Sequence, residues 1–209
     1  DVTEHQVLAR GAVSDPFPLG IHAERTKTSV ALQYLYLGIS HIIPKGLDHI
    51  LFVLGLFLLS LTFKSLLLQI TAFTVAHTLT LALTSMGIFR LPSDFVEPLI
   101  ALSIAYVAIE NIVTSELKPW RPVLVFLFGL LHGMGFAGVL GELGIPENHF
   151  LLALFSFNAG VEVGQLLVVT AAALAIGWFR NAAWFRSRIT VPLSVAIGIM
   201  GLYWFWDRL

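Results

Sequence analysis

The chain has 209 residues, 57% hydrophobic and 12% charged, with a formal net charge of -1 and a mean hydropathy of +0.85. That is too little polar surface to coat a soluble globule of this size, and near-neutrality gives no bulk attraction to nucleic acid. With no cysteine, disulfides and thiolate ligands are excluded, and any metal must be held by nitrogen and oxygen.

The first stretch, Asp1 to Lys27, is mixed and polar and is broken by Pro16, Pro18 and Gly20. It reads as an extended extracytoplasmic lead-in over 1–28, and the opening Asp1 suggests a processed or trimmed chain. The rest, 29–209, divides into apolar blocks punctuated by proline, glycine and charge. They are Ser29–Ile43, Leu47–Phe63, Ser65–Ile88, Ser93–Thr114, Pro122–Leu143, His149–Phe179 and Ile189–Phe205. A span takes about 20 apolar residues, so the expected fold is an all-α polytopic membrane bundle of six to seven hydrophobic helices. Short connections predict antiparallel packing of sequential helices.

Ser29–Ile43 is too short for a comfortable span and reads as a re-entrant or interfacial helix. Charge favours that reading. If this block does not cross, Lys64, Lys118, Arg121, Arg180, Arg186 and Arg188 share the cytoplasmic side while the lead-in lies outside. Six full crossings and one docked helix are then expected. The final Tyr203-Trp204-Phe205-Trp206 run suits an interfacial belt. The glycines inside the blocks suit close helix packing.

Ionisable side chains in hydrocarbon cost at least ~2.5–3.5 kcal/mol at a helix centre, so they tend to be paired, solvated or functional. His41, Asp48 and His49 flank the break at Pro44-Lys45-Gly46. His77 and His132 lie near the middle of their blocks, and Asn158, Glu162 and Gln165 share one face of the sixth by their i, i+4, i+7 spacing. Alternating helix directions put His77, His132 and Glu162 at one depth, about 16–20 Å from the side of the Pro44 break. Imidazoles and carboxylates gathered in one layer suit Ni²⁺, Co²⁺ or Zn²⁺ better than Mg²⁺ or Ca²⁺. Thr78, Asn158 and Gln165 are candidates to orient the ligands. Glu110, set toward the other face, is a candidate for an exit path.

Four stretches resemble one family. They are His41 with Gly46-x-Asp48-His49, Thr74–Leu81, Phe128–Gly138 with His132-Gly133-Met134-Gly135, and Phe157–Gln165 with Asn158-Ala159-Gly160-Val161-Glu162. In order and content they are similar to the HupE/UreJ-type membrane proteins associated with nickel uptake in bacteria. Here His41 stands one residue further from the Asp-His pair than in the family signature, as in a branch with an amino-terminal extracytoplasmic region. The resemblance implies a multi-pass protein of the bacterial inner membrane, with His41, Asp48, His49, His132 and Glu162 as metal contacts; depth adds His77.

The leading expectation is a permease or secondary transporter for a divalent transition metal, with the bilayer and the ion as its partners. No Walker A motif is present to hydrolyse ATP. The competing expectation is an intramembrane metal-dependent hydrolase acting on a lipid or membrane peptide, with Glu162 or Asp48 as base. A polar path leading inward from the site would favour transport, and a closed site with lateral access would favour the enzyme.

Overall fold

The computed structural model describes residues 26–60, 62–142 and 147–209; nearly all of the expected lead-in lies outside them. Among the described residues are seven α-helices and no strand, as an all-α bundle requires. They are α1 Lys27–Ile42, α2 Leu47–Leu59, α3 Phe63–Ser85, α4 Ser93–Val113, α5 Arg121–Glu142, α6 Phe150–Ile176 and α7 Val191–Asp207.

Local chemistry explains the boundaries. Thr26 and Thr62 cap α1 and α3, their hydroxyls accepting from the Ser29 and Ser65 amides at 3.3 Å. α1 ends before Pro44, where the residue preceding a proline leaves helical space. Asp94 sits in the first turn of α4 just after Pro92, where a carboxylate complements the helix dipole. Just past the end of α3 and its cap Met86, Gly87 has a φ of 71°, which suits a residue without a Cβ.

Close approaches at glycines fix the direction of each helix. Gly38 packs on Gly160 and Ile42 on Gly164, so α1 runs parallel to α6. Gly129 lies against Phe73 and Gly133 against His77, so α5 runs parallel to α3. Gly198 meets Ala108 while Gly201 meets Ala105, so α7 opposes α4. These three pairs are the most extensively packed in the bundle. The predicted side-by-side packing of sequential helices is thus corrected, because the glycine faces that permit close approach lie on non-sequential helices.

Among the described residues, four helical stretches are long and apolar enough to cross a bilayer: Phe63–Ser85, Ser93–Val113, Phe150–Phe179 and Arg186–Asp207. α1 and α2 meet that standard only together, with a 72° bend between them. α2 has 13 residues, about 20 Å, too short to cross alone. Its far end reaches the far end of α6, where Arg180 donates to the Phe57 carbonyl at 2.9 Å. α1 follows the first part of α6, and the far end of α2 reaches its end. A short first helix bent sharply at the Pro44 break is what the sequence predicts for this block. The start of α1 lies beside the start of α6, at the opposite end of the bundle from Lys64, Lys118, Arg180, Arg186 and Arg188.

A methyl group at Gly38 would fall on the Phe157 carbonyl and 2.9 Å from the Gly160 Cα. Gly38→Ala is therefore expected to destabilise the bundle by about 1–3 kcal/mol. Thermal unfolding in detergent checks this; an unchanged midpoint would mean that the α1–α6 seam is looser than its geometry.

Candidate metal centre

The α1–α2 break turns the chain so that His41, at the end of α1, meets His49, in the first turn of α2, with ring centroids 4.8 Å apart. α3 brings His77 to within 5.8 Å of His49 and 6.2 Å of His41. α5, held against α3 by Gly129 and Gly133, brings His132 to 4.9 Å from His49. His49, His77 and His132 are almost wholly buried. Four imidazoles from four helices thus converge.

One ligand nitrogen each from His41, His49 and His77 lies within 4.8 Å of the others. A tetrahedral ion with metal–nitrogen bonds of about 2.0–2.1 Å would need its ligand atoms ~3.4 Å apart, so sharing one ion would require these nitrogens to close by up to about 1.4 Å.

The hydrogen bonds decide which nitrogen of each ring faces inward. Asp48 Oδ1 accepts from His49 Nδ1 at 3.0 Å and from the His49 amide at 2.8 Å. Asn158 Oδ1 accepts from His77 Nδ1 at 2.9 Å, and its orientation is set because Asn158 Nδ2 donates to the Leu154 carbonyl at 2.8 Å. The Phe128 carbonyl accepts from His132 Nδ1 at 2.9 Å. Each acceptor lacks a proton, so each Nδ1 carries one and a neutral ring keeps its lone pair on Nε2. The Nε2 atoms of His49, His77 and His132 are all buried without a hydrogen-bond partner. Such atoms are costly to bury unless something binds them. Asp48, expected as a direct ligand, thus holds the His49 ring through Oδ1 and lines the same pocket as His41, His49 and His132.

The remaining candidates separate. Glu162 is half-buried, and its Oε1 accepts from Thr71 at 2.7 Å; it is outside the group of converging ligand atoms. Gln165 Oε1 meets the Thr74 hydroxyl at 3.3 Å. The Thr78 hydroxyl donates to the Thr74 carbonyl of its own helix at 2.7 Å. Glu110 is buried at the far end of α4, where Arg121 Nε approaches its Oε2 at 3.3 Å. Arg121 is therefore not a loop cation as the sequence suggests; it is 1% exposed. Between Ile100 and Glu110, α4 contributes Ile104, Val107 and Ala108 to an apolar core with Phe52 and Leu56. The Ser103 hydroxyl in that stretch donates to the Ile100 carbonyl.

Sequence reasoning missed Thr71 and Thr74, although 71, 74 and 77 recur at one helical face of α3. It also gave Glu97 no part in the site. Glu97 is exposed and, with Arg208, lines the pocket of about 250 Å³ that reaches His41, Asp48, His49 and His132. Both lie at the end of the bundle opposite Lys64, so the histidines open toward the start of α1.

Asn158→Leu is expected to weaken metal binding by about 10–100-fold, the usual effect of losing the partner that fixes a ligand's tautomer. Titration of Ni²⁺ into the purified variant measures it, and an unchanged affinity would remove His77 from the site.

A family model described as HupE / UreJ protein matches residues 20–208. No curated protein and no solved structure matches the chain.

Proposed function

Because the chain belongs to the HupE/UreJ family, we propose that this multi-pass membrane protein is a permease for a divalent transition metal, nickel foremost, with cobalt or zinc as alternatives. The observation that carries the reading is the set of buried, unpartnered Nε2 atoms on His49, His77 and His132, with His41 beside them. Imidazole nitrogen suits these ions. Asp48 and Asn158 supply the outer hydrogen bonds that ligating histidines need.

The bundle lies in the bacterial inner membrane with its cation-rich end in the cytoplasm, following the bias of basic residues toward that side. The Glu97–Arg208 mouth then faces outward. An ion enters there, sheds water against Asp48 and the histidines, and moves inward past Glu162. The mouth opens at the helix ends, which favours passage of an ion from solution over the hydrolase reading.

The test is Ni²⁺ and Co²⁺ uptake into proteoliposomes. Wild type should accumulate metal, His132→Ala should fail in binding and uptake, and Glu162→Gln should lose uptake. Tight binding with no flux in the wild type would sink the permease reading.

A further inference from the structure

Below the histidines, the seam between α3 and α6 carries polar groups from both helices. Thr71 differs from the other threonines of α3. Thr74, Thr78, Thr80 and Thr84 all donate to carbonyls of their own helix, the ordinary fate of such hydroxyls in a helix. The Thr71 hydroxyl donates across the seam to the Glu162 carboxylate at 2.7 Å.

Thr74 and Gln165 pose a problem of proton count. The Thr74 hydroxyl lies 3.1 Å from the Ile70 carbonyl and 3.3 Å from Gln165 Oε1, but has one proton for two acceptors. Gln165 Nε2 meanwhile is buried without a partner, on a residue that is 0% exposed. Exchanging the amide oxygen and nitrogen lets Nε2 donate to Thr74 while Thr74 donates to Ile70. The oxygen is then the orphan. In either placement one deeply buried amide atom has nothing to bind, a costly arrangement in a packed seam.

We propose that Thr71, Thr74, Glu162 and Gln165 form a second, oxygen-lined station for a divalent cation, inward of the histidines. The proposal rests on the permease reading above. A carboxylate, two hydroxyls and an amide oxygen are harder ligands than imidazole and hold a borderline transition ion less tightly. Conduction needs sites favourable enough to enter and weak enough to leave, and a step from nitrogen to oxygen supplies that descent. The seam also provides what α4 lacks, since apolar side chains pack between the histidines and Glu110. Further toward the cytoplasmic end of α3, Gln69 donates to Ser60 at 3.0 Å and keeps a buried Oε1 without a partner. The inward route follows α3 and α6.

The test uses the full chain in two assays, Ni²⁺ uptake into proteoliposomes and equilibrium Ni²⁺ binding in detergent. Gln165→Leu and Thr74→Val should each slow uptake by about tenfold or more while binding stays within about threefold of wild type. Thr78→Val, whose lost hydroxyl served only its own helix, should transport within about twofold of wild type. Uptake near wild type in both Gln165→Leu and Thr74→Val overturns the station. So does uptake that falls only in step with binding, which would mean that these residues act by holding His77 in place. A wild type that binds metal but moves none overturns the permease reading and the station together, whereas a transporting wild type with unaffected seam variants overturns the station alone.

Discussion

Replacing His49 by alanine is expected to raise the dissociation constant for Ni²⁺ by more than about 100-fold, the largest effect of any single substitution at the site. His49 is central, its ring lying within 5.8 Å of those of His41, His77 and His132. Its loss removes one ligand and also leaves Asp48 Oδ1 without the ring proton that it accepts. A hundredfold change is about 2.7 kcal/mol, well above the effect of loosening a ligand that is still present. Asp48→Asn is the informative comparison. An amide oxygen can still accept from Nδ1, so His49 keeps its orientation but loses a charge-assisted bond. That variant is expected to lose affinity by about tenfold. Calorimetric or dialysis titration in detergent measures both. Binding by His49→Ala within about threefold of wild type would show that the four rings are a packed aromatic cluster and not a ligand set.

The layer of histidines was legible because two local signals agree. A histidine in the middle of an apolar block is costly, and counting residues from each block end puts His77 and His132 at one depth whatever the orientation. Asn158, one turn before Glu162 on the same face, was visible as a supporting residue for the same reason. The course of α1 was not legible. It is set by packing on Gly160 and Gly164, more than 100 residues along the chain. Thr71 was missed because a threonine in an apolar helix usually bonds to its own backbone, and only the position of α6 shows that this one does not. Arg121 was misread for a related reason. Beside Pro122 at a helix start it has the pattern of a loop cation, and its partner Glu110 belongs to the helix before the loop.

The Glu110–Arg121 pair leads to the second large effect, this time on stability. Arg121→Ala is expected to cost about 3–5 kcal/mol, because it leaves a carboxylate buried with no counter-charge. The pair belongs to a junction of four helices. Arg121 Nη2 donates to Asn111 Oδ1 at 3.3 Å, and Asn111 Nδ2 reaches the Gly55 carbonyl of α2 at 2.8 Å and Ser194 of α7 at 3.2 Å. Loss of the guanidinium therefore loosens the contact of α5 with α4 and frees the Asn111 side chain that ties α4 to α2 and α7. The double variant Glu110→Leu with Arg121→Met removes both charges and keeps the volume filled. It should recover wild-type stability or exceed it, since apolar replacement of a buried pair is often neutral or favourable by about 1–4 kcal/mol. Thermal or SDS-induced unfolding of the three proteins makes the comparison, and a double variant as unstable as Arg121→Ala would mean that the junction needs its charges. The same double variant also tests the route. If the ion travels along the α3–α6 seam, a stable bundle without Glu110 still transports; if uptake is lost while folding and Ni²⁺ binding are intact, Glu110 lies on the path and the seam does not carry it alone.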